Sequence, residues 1–244
     1  MDVKALAHVR ERHGLSLGGY GRPGMTMELK EAGLAVGERR VGRLMKINGI
    51  RPVRPRKHKV TTDSNPRLGI AANWLAGDFV ATAPNQKWAG DITYIWTSEG
   101  WLYRAVILDL HNRRVVGWAV SDGMKKDLAI WALDMAARLR KPPQGCIFFD
   151  SNRDSQYCAY DYHNKLRAYA LRPSMSGKGN RYDTASVETV FKSLKAELIW
   201  RKNGPTRRQA EAAIFQSING FYNTRRRHSY LGGINPLAFE AKVA

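Results

Sequence analysis

Three consecutive runs of β-branched and aromatic residues constrain the fold of this chain more than any other feature. They cover residues 88–96, 101–110 and 114–121. Short turns rich in polar residues, at 98–100 and 111–113, separate the runs. Apolar runs of this length joined by short turns predict consecutive antiparallel strands. The centre of the chain is therefore expected to form a three-stranded meander.

Helical patterns and short buried strands alternate after the meander. The predicted elements are helices at 126–140, 160–170, 184–200 and 206–222 and strands at 146–149 and 171–174. An irregular tail is expected after the last helix. The order of three strands, helix, strand, helix, strand and helix predicts an α/β protein with a mixed five-stranded sheet flanked by helices, which is the order of an RNase H-like fold.

The N-terminal part predicts a small, separate helical unit. Residues 25–32 and 38–48 have helical periodicity, and Gly33 and Gly49 follow them as natural stop signals. Two short helices joined through residues 33–37 indicate a helix-turn-helix-like unit.

Basic residues exceed acidic residues along the chain. The sequence holds 40 Lys and Arg against 21 Asp and Glu, a formal net charge of +19, which favours a nucleic-acid partner. Residues 51–59 combine cations with prolines and contain no acid, which is typical of a solvated linker or of an arm along phosphates; we favour the arm.

We predict a DNA-contacting region at 1–59, a connector with one short helix near residue 73 at 60–84, and a core with a basic tail at 85–244.

Two features indicate the cellular compartment. No apolar run approaches the roughly 20 residues that cross a bilayer, and the N-terminus lacks a signal-peptide pattern. Cys146 and Cys158 lie in apolar or aromatic settings without metal-ligand spacing, so we interpret them as buried thiols. We therefore expect a cytoplasmic protein without a membrane partner.

Three separated positions are candidates for a common site. Asp91 lies within the first predicted strand, Asn152 follows the strand at 146–149, and Glu188 opens a later helix. A carboxylate in an aromatic strand needs a cation, which is either an ion-pair partner or a metal, and sites form at the carboxyl ends of strands in such sheets. For Glu188 the alternative is an ordinary exposed pair with Lys192.

Several long motifs make the chain resemble a known family. Residues from about 18 to 240 resemble the catalytic subunit of the IS-three family of bacterial insertion-sequence transposases, which are relatives of retroviral integrases. The matching segments are residues 85–95, 151–157, 172–180, 182–188, 194–197 and 222–232. The resemblance implies an RNase H-like integrase core and an activity in DNA cleavage and strand transfer. It also implies a nucleoid-associated homo-oligomer that acts on transposon ends and target DNA, with a helix-turn-helix partner segment from an upstream reading frame.

The resemblance also implies a metal site with one altered ligand. The family's ligands are Asp, Asp and Glu, and they fall here on Asp91, Asn152 and Glu188. Two Mg²⁺ ions, with Mn²⁺ as a substitute, would activate the attacking group and stabilise the leaving oxygen. An Asn oxygen can coordinate a hard cation but brings no charge, so we expect impaired catalysis. Asp150 and Asp154 are candidate substitute ligands, and we favour impairment over rescue by either.

Basic residues in three places are predicted to contact DNA phosphates. They are Lys178, Lys192 and Lys195 near Glu188, Arg225, Arg226, Arg227 and His228 in the tail, and Arg39, Arg40 and Arg43 on the second N-terminal helix. For any one of them, solvated surface charge is the alternative.

The functional hypotheses are an impaired DDE-type transposase, a catalytically inactive DNA-binding remnant that occupies transposon ends, and an RNase H-like nuclease that acts on RNA.

Overall fold

The computed structural model describes residues 2–53, 74–75, 77–123, 126–150, 157, 159–175 and 205–243. Its helices are α1 (Asp2–Leu15), α2 (Arg22–Glu31), α3 (Glu38–Ile47), α4 (Lys126–Arg140), α5 (Tyr160–Ala168), α6 (Arg207–Phe215) and α7 (Pro236–Val243). Its strands are β1 (Lys87–Thr97), β2 (Gly100–Asp109), β3 (Val115–Ser121), β4 (Ile147–Asp150) and β5 (Arg172–Met175). A π-helical segment, Gln216–Tyr222, continues α6, and a 3-10 turn covers Ser229–Leu231.

One five-stranded sheet forms the centre of the fold. Its strand order is β3-β2-β1-β4-β5. The first three strands pair antiparallel, as their short connecting turns require, whereas β4 runs parallel to both β1 and β5. The predicted meander and the mixed five-stranded sheet are therefore confirmed.

Hydrophobic clusters cover both faces of the sheet. Alternate residues of the long strands point to opposite sides and so belong to different clusters. Val106 and Leu108 of β2 lie in a first hydrophobic cluster with Ile214 and Ile218 from α6 and the π-helical segment. Ile107, between them in sequence, belongs to a second cluster that includes residues of α4 and α5. The central strands are thus buried on both sides.

Close approach of β3 and α4 requires a glycine. A Cβ atom on Gly117 would overlap the carbonyl oxygen of Ala132 and would lie 2.9 Å from the backbone nitrogen of Ala136. Gly117 therefore lets the helix backbone rest directly on the strand, which explains a glycine within an otherwise β-branched run.

The N-terminal helices have a third hydrophobic cluster. Met25, Leu29, Val41 and Met45 form much of it, and Phe221 from the π-helical segment joins them. The helices α2 and α3 agree with the predicted pair, and the short connection between them begins at Gly33, whose φ of 78° suits glycine. The N-terminal unit therefore packs against the C-terminal part of the chain.

The prediction of an irregular tail is wrong, because α7 forms there. The side chain of Asn235 accepts the backbone N–H of Ala238 at 2.8 Å, and Pro236 begins the helix. Both are recognised features of a helix start. Glu240 on α7 then accepts a hydrogen bond from Nη1 of Arg114 at 2.7 Å, which fixes the helix to the core.

Some predicted elements lie outside the described residues. The helix expected at 184–200 lies outside the described residues, as do Cys158 and most of the connector, whereas Cys146 is a buried free thiol. Trp74 and Leu75 form a bend and not a helix. The division at residues 59 and 84 stays a prediction. Within the described ranges, no helix has both the length and the apolar character that crossing a membrane demands.

Candidate active site

Asp91 lies in the middle of β1, beside the end of β4. Its partner across the antiparallel pair is Val106 on β2. On the other side of β1, the preceding residue Gly90 is in register with Asp150, the last residue of β4. Asp91 is half-buried, and it lies next to the point where the chain leaves the carboxyl end of β4 towards Asn152.

The structure describes only part of the predicted ligand set. Asn152, Asp154 and Glu188 lie outside the described residues, and so do Lys178, Lys192 and Lys195. Asp150 is described only as a strand residue, without its side chain. In the part of the chain that is described, no three His, Cys, Asp or Glu residues form a group that could hold a metal ion. The convergence of Asp91, Asn152 and Glu188 stays a prediction.

A buried arginine that the sequence analysis did not single out lies on the same face of the sheet as Asp91. Arg104 of β2 is in register with Thr93 of β1, and Val106 is in register with Asp91. Residues two apart on a strand share a face, so Asp91, Thr93 and Arg104 form a polar patch on the face that carries the first hydrophobic cluster. Their diagonal arrangement corresponds to a separation of roughly 7–8 Å between Cα atoms.

The guanidinium of Arg104 is enclosed by the protein. The residue is 1% exposed, and in the described part of the chain its Nε and Nη1 atoms have no hydrogen-bond partner. Burial lowers the pKa of Arg104 to about 10, and the negative charge of Asp91 opposes this decrease. Arg104 therefore stays positively charged at neutral pH. In the sequence, only the isolated position of this Arg between Tyr103 and Ala105, within an apolar strand, indicates that it is buried.

This patch fits a divalent cation poorly. Asp91 offers the carboxylate oxygens that Mg²⁺ prefers. Arg104, however, places a positive charge near that carboxylate inside a hydrophobic cluster, where charges are weakly screened. The described residues at this site therefore bring one carboxylate and one opposing cation.

The predicted DNA-contacting residues of α3 differ in their partners. Arg39 is exposed, whereas the Nη2 atom of Arg40 approaches Oδ1 of Asp2 at 2.6 Å. Arg43 is exposed and lies 3.5 Å from the same carboxylate. Arg39, Arg43 and the exposed Lys46 are spaced four and three residues apart, so they share one helix face. This face presents cations to solvent.

The four basic residues of the tail also have different surroundings. Arg225 is exposed, and the guanidinium of Arg226 lies 5.7 Å from the ring centre of Tyr222. Arg227 forms ion pairs with Glu28 and Glu31 of the N-terminal unit. These pairs favour a structural role for Arg227 over contact with a phosphate.

His228 is buried at the start of the 3-10 turn. Its ring packs against Tyr222 with centroids 5.0 Å apart. Burial, aided by the positive charges of Arg226 and Arg113, lowers the pKa of His228 to about 3. The side chain is therefore neutral at physiological pH, which favours packing over phosphate binding.

Family models match most of the chain. An HTH-like domain matches residues 2–58, and integrase core domains match residues 81–181 and 188–243. The insertion element IS600 uncharacterized 31 kDa protein of Shigella sonnei is 43% identical, over 99% of this chain and 86% of the relative. The transposase InsF for insertion sequence IS3A of Escherichia coli strain K12 is 43% identical, over 91% of this chain and 77% of the relative. This chain belongs to the IS3 family of insertion-sequence transposases.

A solved structure gives the same fold for this IS3-family transposase. A chain of the simian T-cell lymphotropic virus intasome in complex with PP2A regulatory subunit B56 gamma has a TM-score of 0.53 and 16% identity, and the match covers 95% of this chain and 74% of that chain. At this identity the likeness shows the fold alone. Together with the family models, it confirms the predicted integrase core with a mixed five-stranded sheet and an N-terminal helical region.

Proposed function

We propose that this IS3-family transposase catalyses the DNA cleavage and strand transfer that move an insertion sequence, and that its catalytic step is impaired. The observation that carries the proposal is 43% identity to transposase InsF over 91% of this chain. The position of Asp91, within β1 and beside the carboxyl end of β4, agrees with it. The proposed DNA partners are the transposon ends and the target.

The proposed catalytic set is Asp91, Asn152 and Glu188, which is a DDE motif with an amide at its second position. Mg²⁺, or Mn²⁺ in its place, is the metal that this set would require in an active relative. Loss of the middle carboxylate removes one of the three negative charges that offset the repulsion between two such ions. Asp150 and Asp154 remain candidate substitutes in this proposal.

The proposed oligomeric state, location and partner segment follow from the family. We propose that the protein acts as a homo-oligomer in the bacterial cytoplasm, associated with the nucleoid, and that an upstream reading frame supplies a further helix-turn-helix segment. The cationic face of α3, formed by Arg39, Arg43 and Lys46, supports a role of the N-terminal region in DNA binding.

A second candidate function is DNA binding without catalysis. Asn152 favours it, because an amide at a catalytic acid position affects the chemistry and leaves the cationic surfaces intact. Such a protein would occupy transposon ends and would compete with an intact transposase. An RNase H-like activity on RNA is a further alternative, and an RNA–DNA hybrid substrate tests it.

A strand-transfer assay separates these functions. Purified wild type, Asn152→Asp and Glu188→Gln would be incubated with Mg²⁺ and DNA that carries the insertion-sequence ends. We expect Asn152→Asp to join ends at least about tenfold faster than wild type, since it restores a ligand charge, and Glu188→Gln to be inactive. Equal rates for wild type and Asn152→Asp would refute impairment. End binding without joining by both proteins would favour the DNA-binding remnant.

A further inference from the structure

Arg104 is an unusual residue for its position in the sheet. Its strand neighbours on the same face, Leu102 and Val106, belong to the first hydrophobic cluster, as does Ile95 on the adjacent strand. An arginine enclosed in such surroundings normally forms hydrogen bonds with its guanidinium. Among the described residues, however, neither Nε nor Nη1 of Arg104 has a partner.

The position of Arg104 relative to Asp91 is fixed by the strand register. The pairs Thr93–Arg104 and Asp91–Val106 follow each other along β1 and β2, so the two charged side chains emerge from the same face on adjacent strands. Because Arg104 is enclosed on a face that α6 and the π-helical segment cover, water screens its charge weakly, whereas Asp91 is half-buried. The guanidinium thus acts on Asp91 more strongly than an exposed arginine would.

We propose that Arg104 is a built-in counter-charge to Asp91, which keeps the affinity of this carboxylate for divalent metal ions low. The inference rests on the proposed function because it takes Asp91 to be a metal ligand. It adds a second reason, independent of residue 152, for impaired catalysis. A metal ion at Asp91 would experience repulsion from a buried guanidinium that the strand register holds on the same face of the sheet.

Metal binding by the purified protein tests this inference directly. Mn²⁺ affinity would be measured by isothermal titration calorimetry for wild type, Arg104→Leu and Arg104→Lys. We expect Arg104→Leu to bind Mn²⁺ at least about tenfold more tightly than wild type, because a positive charge near the ion is removed. Arg104→Lys keeps a cation and should stay within about threefold of wild type. Equal affinities of wild type and Arg104→Leu would overturn the proposal.

A double variant shows whether the gained affinity belongs to Asp91. In the Arg104→Leu background, Asp91→Asn should abolish the gain, and a gain that persists would also overturn the proposal. Arg104→Leu removes a guanidinium whose Nε and Nη1 atoms have no partner among the described residues, so no hydrogen bond of these two atoms is broken there, and circular dichroism checks that the variant folds. Should it not fold, Arg104→Met carries the same test. Absence of strand transfer in every variant would refute the proposed function, whereas this inference depends on the metal affinities alone.

Discussion

Arg227 in the C-terminal tail donates a hydrogen bond from Nε to Oε1 of Glu28 on α2 at 2.6 Å, across 199 positions of sequence. The two side chains are only 14% and 16% exposed. Tyr20 strengthens the same junction, because its hydroxyl accepts the backbone N–H of Arg227 at 3.0 Å and donates to the carbonyl of Arg225 at 3.1 Å. A largely buried polar junction therefore attaches the N-terminal helices to the tail.

Removing the Arg227 guanidinium should destabilise the protein. Arg227→Ala leaves Glu28 largely buried without this cation, and we expect the free energy of unfolding to decrease by about 2–4 kcal/mol. Urea denaturation measures this change. The matched control is Arg225→Ala, which removes an exposed side chain but keeps the backbone carbonyl that Tyr20 contacts, and it should change stability by less than about 0.5 kcal/mol. Equal losses in both variants would contradict the structural role of Arg227.

Two adjacent arginines on α3 should contribute unequally to DNA binding. Arg39 is exposed, whereas Arg40 is held by Asp2. Arg39→Ala should therefore weaken binding to duplex DNA and lower the slope of log affinity against log salt by about 1, as expected for one lost phosphate contact. Arg40→Ala should have a smaller effect on the slope. Fluorescence anisotropy at several salt concentrations measures both, and a larger effect of Arg40→Ala would show that the interpretation of this face is wrong.

Stability should depend on pH through His228. Its pKa is about 3 in the folded protein, against an ordinary value of 6.5. Between pH 3 and pH 6.5, His228 is therefore protonated in the unfolded chain but neutral in the folded protein. The contribution of neutral His228 to stability is consequently lost as pH decreases below about 6.5. We expect the stability difference between wild type and His228→Gln to shrink by about 1–2 kcal/mol from pH 7 to pH 5. A constant difference would count against this burial.

The sheet could be predicted from sequence because its signals are local. The β-branched runs and their turns define β1 to β3 to within about one residue, and residues 126–140 were predicted with the same bounds as α4. The tail helix was missed although Asn235 and Pro236 form a local start signal. The π-helical continuation of α6 has no comparable sequence signature.

The candidate site was predictable only in part. The strand position of Asp91 follows from the β-branched and aromatic run at 88–96, whereas the importance of Arg104 depends on the register between β1 and β2. Spacing along one chain segment does not reveal such cross-strand neighbours. In the same way, Arg227 looks like a surface cation in its own motif, because its partner Glu28 is far away in sequence.

Two glycines should respond in opposite ways to the same added methyl group. Gly117→Ala would force β3 and α4 apart, because the new Cβ would overlap the Ala132 carbonyl, and we expect a loss of about 3 kcal/mol or more in the free energy of unfolding. Gly14 lies in α1 with nothing within 4 Å of an added Cβ. Gly14→Ala should therefore raise stability by about 0.5–1 kcal/mol, since alanine restricts the unfolded chain and favours helix. Urea denaturation of both variants measures the contrast, and a Gly117→Ala protein as stable as wild type would show that the strand and helix are not in backbone contact.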